Sequence, residues 1–503
     1  MLALIGAIYD MATLWNLWLV FAGTLIGIIG GALPGITTTL GIALLTSITF
    51  SMPTADALLM LMCLYVGSVY GGSMTAVTIN IPGTPASAAT ALDGYPLACR
   101  GEAGPALGLA RVGSFIGSIL GIFCLAGITP LLSAVSLRFS SVEFFLFALL
   151  GVVACGSLYG EDLAVKGWIM GFLGLLTATV GLDEIHAYPR YAFGNANLMG
   201  GIAFIPVMIG MFGIPEVISI LSRRVEPETP PINVAVTPKY REFIIRLRLV
   251  LQSAAIGVGI GIIPGVGEDV ASWTAYAAAK RTSKHPEEFG KGSYEGLIAS
   301  EVANNSCVGG AIIPLLALGI PGSAPAAILL GAMFLHGLRP GPLFLIEQPE
   351  YLSYVSSALI YASCAILILG LVISRWILIY IVRLPQKVMM AVVAPLCVVG
   401  SYSLNLSMFD VTMMLGFGVF GTIMRHYKYP AAPFVLGMVL GPMADGNLRR
   451  AIMLSNGNPL VFVSRPAALV LTVIIVLFLA MQFNLPQVLY GRIKRSIKQL
   501  LPA

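Results

Sequence analysis

The chain has 503 residues, of which 57% are hydrophobic and 10% are Asp, Glu, Lys or Arg, with a formal net charge of +5. A water-soluble globular domain carries roughly 25% charged residues, so this composition excludes an ordinary soluble fold and places most of the chain in a lipid bilayer. The basic residues lie in short connecting stretches, where the cytoplasmic preference of Lys and Arg accounts for them, and no nucleic acid partner is expected.

Apolar stretches recur from residues 14–33 to residues 467–483. Each is long enough to cross a hydrocarbon core of about 30 Å. The prediction is an all-α polytopic membrane protein with about 12 to 15 transmembrane or re-entrant segments. Residues 1–20 lack the basic start and small-residue cleavage site of a secretory signal, so the first apolar segment is expected to remain as a helix. Two crossings are predicted within residues 14–50, one from Ala55 into the region of Pro82, and four between Pro105 and Leu221. Residues 223–248, with Pro227, Pro230, Pro231 and Pro238, read as a cytoplasmic linker. The expected organisation is therefore a membrane repeat over 1–222, the linker, and a second repeat over 249–503. The second repeat ends in one extra helix before the basic tail of Arg492, Lys494, Arg495 and Lys498.

The two halves share motifs in the same order. GIIGGALPG at residues 27–35 is matched by GVGIGIIPG at 257–265. Gly71-Gly72 followed by Ile81-Pro82-Gly83-Thr84-Pro85 is echoed by Gly309-Gly310 followed by Ile320-Pro321-Gly322-Ser323-Ala324-Pro325. Loop charge reverses between the copies. Lys280, Arg281, Lys284 and Lys291 follow the second proline-glycine of the first kind, whereas residues 51–56 hold no Lys or Arg; Arg100 and Arg111 follow the other motif in its first copy, against Arg339, Glu347 and Glu350 in its second. Such reversal predicts inverted-topology repeats, with the N-terminus periplasmic and the C-terminus cytoplasmic.

Proline removes a backbone donor and glycine loosens the chain, so Pro-Gly inside an apolar helix survives only where protein or water satisfies the freed groups. Helix kinks are the plainer reading of any single break. Four breaks at paired positions instead mark the midplane site of a transporter. The candidate substrate-binding residues are Pro34, Gly35, Thr37, Thr38, Thr39, Pro82, Gly83, Thr84, Ser87, Pro264, Gly265, Gly267, Pro321, Gly322 and Ser323. Their hydroxyls and free N–H groups at half-helix N-termini suit an anion. Glu301, Asn304 and Asn305 fall on one helical face and suit a cation or a proton, with Asn304 and Asn305 as the candidate sodium ligands. Glu268 and Asp269 stand where the first copy has Thr38 and Thr39; they are candidates for cation coupling, or solvated charges at a cytoplasmic mouth. No cofactor is expected beyond the coupling ion, sodium, with a proton as the alternative.

An ordered set of motifs runs through the chain. It comprises Leu33-Pro34-Gly35, Ala91-Leu92-Asp93-Gly94-Tyr95-Pro96, Gly290-Lys291-Gly292 leading to Glu301-Val302-Ala303-Asn304-Asn305, and Gly319-Ile320-Pro321-Gly322-Ser323. Arg339-Pro340-Gly341-Pro342, Asn447-Leu448-Arg449-Arg450 and Ser455-Asn456-Gly457-Asn458 complete it. With these residues the chain resembles, over essentially its whole length, the large membrane subunit of tripartite tricarboxylate transporters, the TctA family. The resemblance implies a bacterial inner-membrane permease that works with a small membrane subunit and a periplasmic solute-binding protein. It further implies import of a citrate-like or related carboxylate, driven by a sodium or proton gradient without ATP. The acidic pair Glu268-Asp269 departs from part of the family and leaves substrate and coupling ion open. Because no Lys or Arg precedes Arg100, a carboxylate in the first half must be held by helix dipoles, N–H groups and hydroxyls, with a bound cation or a basic residue from elsewhere.

Rival classes find little in the sequence. His186, His285, His336 and His426 are scattered, and neither a zinc pair, a serine elbow nor a phosphate loop is present, which disfavours an intramembrane enzyme or an ATP-driven pump. A channel stays open on composition alone. Asp93-Gly94-Tyr95-Pro96 reads as a turn, and His186, beside Asp183 and Glu184, as part of a periplasmic loop.

Overall fold

The computed structural model describes residues 2–33, 35–157, 161–183, 185–222, 240–372 and 385–482. Pro34, Glu184, most of the linker and the basic tail lie outside the described residues. Helices dominate: α1 (Leu2–Met11), α2 (Leu14–Ala32), α3 (Thr38–Thr49), α4 (Thr54–Ile79), α5 (Ala88–Leu97), α6 (Ala103–Ser136), α7 (Ser141–Ser157) and α8 (Glu161–Ala178) come first. A two-stranded antiparallel ribbon follows, pairing Gly181–Leu182 with Pro189–Arg190. Then come α9 (Phe204–Leu221), α10 (Leu247–Ile262), α11 (Gly267–Thr282), α12 (Tyr294–Leu318), α13 (Ala324–Leu335) and α14 (Glu350–Val372). The described chain closes with α15 (Gln386–Asn405), α16 (Met408–His426), α17 (Ala431–Leu454) and α18 (Pro466–Gln482). Among the described residues eight helical stretches are long and apolar enough to cross a membrane, and shorter apolar helices accompany them.

The chain divides into two compact units, residues 1–137 with 203–423, and residues 138–202 with 424–503. In the first unit α4 and α12 are buried throughout an 18-residue stretch of each. Small residues let the neighbouring backbones close on them, as in membrane helix packing generally. Gly23, Gly27 and Gly31 of α2 lie against Met60, Leu64 and Ser68 of α4, so α2 and α4 run parallel. Gly257 and Gly261 of α10 lie against Ala303 and Cys307, so α10 and α12 run parallel as well. The intervening α3 is a short return arm: its Thr38 meets Ser68 and its Gly41 meets Leu64. α4 and α12 oppose one another, because Ser73 late in α4 reaches Glu301 early in α12, while Tyr65 further back in α4 reaches Ser323 beyond the end of α12.

One glycine contact occurs in both halves of the chain. A Cβ added to Gly83 would stand 1.8 Å from the carbonyl oxygen of Gly31, and one added to Gly322 would stand 2.0 Å from that of Gly261. Their N–H groups donate to the carbonyls of Gly72 and Ala311 at 3.3 and 3.2 Å. Only glycine fits either place, since any side chain would strike backbone. The register differs from the sequence match by one residue. Gly71 packs on the carbonyl of Ile28 as Gly310 packs on that of Val258, so Gly71 corresponds to Gly310 and Gly72 to Ala311.

Two further expectations are corrected. Asp93-Gly94-Tyr95-Pro96 belongs to α5 and is no turn; Pro96 sits next to the last residue of this short helix, just before a wide turn in which Gly101 takes φ +83°. Arg111 is not a loop cation. α6 begins at Ala103, so Arg111 falls inside the helix and is 1% exposed. Arg100 does lie at the exposed turn.

Candidate functional site

Four chain breaks gather around α4 and α12. In the first, Gly35 adopts φ +103°, Thr37 caps α3 by accepting the Leu40 N–H at 3.2 Å, and the Thr38 hydroxyl lies 2.9 Å from that of Ser68. Thr39 is buried behind them, and the Glu216 side chain packs beside Gly35. In the break after α4, the Ser87 hydroxyl donates to the Thr84 carbonyl at 2.8 Å and lies 3.3 Å from the Thr84 hydroxyl. The two breaks of the second half bind each other directly. Gly265 N–H donates to the Pro321 carbonyl at 3.3 Å and Gly267 N–H to the Gly322 carbonyl at 3.2 Å, which satisfies backbone groups at the two breaks that helix hydrogen bonding leaves open.

A buried acid, Glu268, and a half-buried one, Asp269, stand at this junction. Glu268, in the first turn of α11, accepts a hydrogen bond from the Tyr65 hydroxyl, and that hydroxyl lies 2.8 Å from Ser323 Oγ. Asp269 follows it, near Gly267. Glu301 is fully buried in a cage of hydroxyls. Ser73 of α4 donates to its Oε1 at 2.7 Å, Thr90 of α5 to the same oxygen, and Ser114 of α6 to its Oε2 at 3.0 Å. It is therefore no hydrated helix end; three elements converge to supply hydroxyl donors to one buried carboxylate, as an intramembrane acid requires.

Asn304 and Asn305 are also fully buried. Asn305 donates to Ser114 Oγ and to the Glu301 carbonyl, both at 3.0 Å, and Asn304 donates to the Ala86 carbonyl at 3.3 Å. Each amide engages its NH₂ end, and each Oδ1 has no hydrogen-bond partner. A buried oxygen without a donor is costly. Hard oxygens of this kind suit a small cation such as sodium, and no group of three or more His, Cys, Asp or Glu that could hold a metal ion exists among the described residues.

The sequence reading missed Tyr65, Ser73, Thr90 and Ser114, whose role depends on partners remote in the chain. It also missed what Asp93 does. Its Oδ1 accepts the N–H groups of Gly290, Gly292 and Ser293 at 2.8 to 2.9 Å, so α5 clamps the loop that leads into α12. A Cβ on Gly296 would stand 2.1 Å from Asp93 Oδ2. In the second unit Arg449 is tied down. It bonds Asp183 at 3.2 Å and Asp445 at 3.0 Å, while Arg190 meets Asp445 at 2.9 Å and His186 donates its backbone N–H to Asp183 at 3.2 Å. Burial pushes the Asp183 carboxyl up, but the bonds from His186 and the nearby Arg449 and Arg190 guanidiniums outweigh it and hold the group below its usual range.

The family profile described as "Tripartite tricarboxylate transporter TctA family" matches residues 17–436. The chain belongs to this TctA family. It is 37% identical over 451 residues to the "Uncharacterized 52.8 kDa protein in TAR-I ttuC' 3'region" of Agrobacterium vitis, covering 89% of each chain. It is 35% identical over 210 residues to the "Uncharacterized protein in TAR-II ttuC' 3'region" of the same organism, covering 42% of this chain and 86% of that one. No solved structure matches. All the breaks and both acid clusters of this TctA-family chain lie within the matched residues, whereas Arg449 and Ser455-Asn456-Gly457-Asn458 lie beyond them.

Proposed function

We propose that this TctA-family chain is the permease subunit of a tripartite secondary transporter in the bacterial inner membrane. A periplasmic solute-binding protein delivers a carboxylate to it, a small membrane subunit completes it, and sodium drives import. The observation that carries this reading is the pairing of two unpartnered, fully buried amide oxygens, on Asn304 and Asn305, with the caged carboxylate of Glu301 in a helix flanked by paired breaks. In the proposed cycle Asn304 and Asn305 bind sodium and Glu301 supplies the countercharge. The breaks at Gly35, Gly83, Gly265 and Gly322, with the Thr38 and Ser323 hydroxyls, face the carboxylate, and the binding of cation and anion is mutually favourable in a low-dielectric site. The duplicated glycine contact and the opposed directions of α4 and α12 support two repeats of inverted topology, divided at the 223–248 linker, with the N-terminus periplasmic and the C-terminus cytoplasmic.

The test is uptake of labelled di- and tricarboxylates into liposomes holding this chain and its small partner, with the cognate binding protein outside and an imposed sodium gradient. Accumulation that needs sodium and the binding protein supports the reading. Accumulation driven equally by a proton gradient shifts the coupling ion to Glu301 protonation, and mere equilibration makes the protein a channel.

A further inference from the structure

Among the described residues of the first unit, the one buried cation has no partner. Arg111 ranks among the largest fully buried side chains, and its Nε, Nη1 and Nη2 all lack a hydrogen-bond partner. We propose that the Arg111 guanidinium is the fixed cation of a carboxylate-binding subsite. The assignment rests on the carboxylate-transport reading above and supplies the basic residue that residues 1–99 lack.

The surroundings are built for a guanidinium. Arg111 lies eight residues into α6 from Ala103, roughly 12 Å along the helix axis. On α14 the facing residue is Gly370, where an added Cβ would stand 2.8 Å from Arg111 Cδ and 2.8 Å from the Tyr70 hydroxyl oxygen. The missing side chain there leaves room for the arginine stem between α4, α6 and α14. One turn further along α6, Ser114 binds Glu301, whose two oxygens are taken by three hydroxyls. The guanidinium nitrogens make no hydrogen bond to this buried acid.

An arginine cannot shed its charge by deprotonation, and an unpaired buried cation is strongly unfavourable. An anion must complete the site. The planar fork takes a carboxylate through two parallel N–H···O bonds. A phosphate fits the same fork, but a lipid phosphate reaches a protein only at its surface, and Arg111 is 1% exposed. A transported carboxylate fits both the chemistry and the depth.

The experiment compares wild type, R111M and R111K in purified complex with the small partner subunit. Thermal unfolding and calorimetric titration are followed with a di- and tricarboxylate panel, and with inorganic phosphate, in sodium buffer. R111M removes a buried unpaired charge at similar volume, so without ligand it should unfold at the wild-type temperature or above it. Its carboxylate affinity should fall roughly 10- to 100-fold, with R111K, which keeps the charge and loses the fork, in between. Should R111M not fold, the fall in R111K decides. Wild-type carboxylate affinity in both variants, or stronger binding of inorganic phosphate than of every carboxylate, overturns the assignment. Accumulation by wild type in the liposome assay with unchanged affinity in R111M defeats Arg111 alone, whereas wild type that accumulates no carboxylate defeats the transport reading first.

Discussion

Tyr65 and Asn304 occupy equivalent places in the two halves: the register that pairs Gly83 with Gly322 also pairs these two. Each reaches across to the other half's second break. Tyr65 meets Ser323 and Asn304 meets the carbonyl of Ala86. The exchange is reciprocal in position but different in chemistry, since a phenol faces a carboxylate in one arm and an amide leaves a bare oxygen in the other.

Tyr65→Phe removes the hydroxyl that Glu268 and Ser323 share. A buried carboxylate that loses a donor costs about 1 to 3 kcal/mol, so the unfolding midpoint in detergent should drop and sodium-driven uptake should fall at least several-fold. Wild-type uptake and stability in this variant would show that the Tyr65 bond does nothing for either.

Asn304→Ala and Asn305→Ala each delete one unpartnered oxygen. The half-saturating sodium concentration for uptake should rise roughly tenfold for either, the effect of about 1.4 kcal/mol, with little change in binding-protein affinity. A sodium titration of initial rates checks this; an unaltered midpoint in both variants removes the amides from the cation site.

Gly83→Ala and Gly322→Ala would drive a methyl into the carbonyls of Gly31 and Gly261. Each should destabilise the protein by about 1 to 3 kcal/mol. Gly259→Ala is the contrast, because a Cβ at Gly259 meets nothing within 4 Å, and alanine there should be neutral or mildly stabilising. Unfolding midpoints of the three proteins measure the difference.

The Asp183 cluster gives a pH dependence in the second unit. A carboxyl held below its unfolded value of 3.8 adds stability at all higher pH and gives it up as pH falls through the lowered folded value. Hydrogen-exchange protection of residues 181–202, corrected for intrinsic rates, should hold from neutrality to about pH 4 and decay below it. Asp183→Asn should show reduced protection already at neutral pH. Protection that is flat through pH 2 to 3 in wild type would contradict the role of Asp183.

How much of this was readable beforehand follows from residue chemistry. Gly and Pro announce themselves wherever they stand, so GIIGGALPG and GVGIGIIPG marked breaks and their pairing. The same habit misled the register, since glycine identity matched Gly72 to Gly310 while backbone contact pairs Gly72 with Ala311. Glu301, Asn304 and Asn305 were legible because helical spacing puts them on one face. Tyr65 was not, because its partner Glu268 lies 203 residues away and a tyrosine in an apolar helix carries no local mark. Arg111 was misread for a related reason. Its burial depends on α6 starting at Ala103 and on Gly370, far along the chain, while its neighbour Arg100 suggested an ordinary charged loop.

α5 and the turn before it are fastened to the second half at three levels: Ala86 of the turn by Asn304, and Thr90 and Asp93 of α5 by Glu301 and by Gly290, Gly292 and Ser293. By sequence it is an arm of the first half, yet these stitches bind it along its length to α12 and to the loop that feeds it. These contacts therefore cross the division of the chain. Whatever displaces α12 acts on α5 as well.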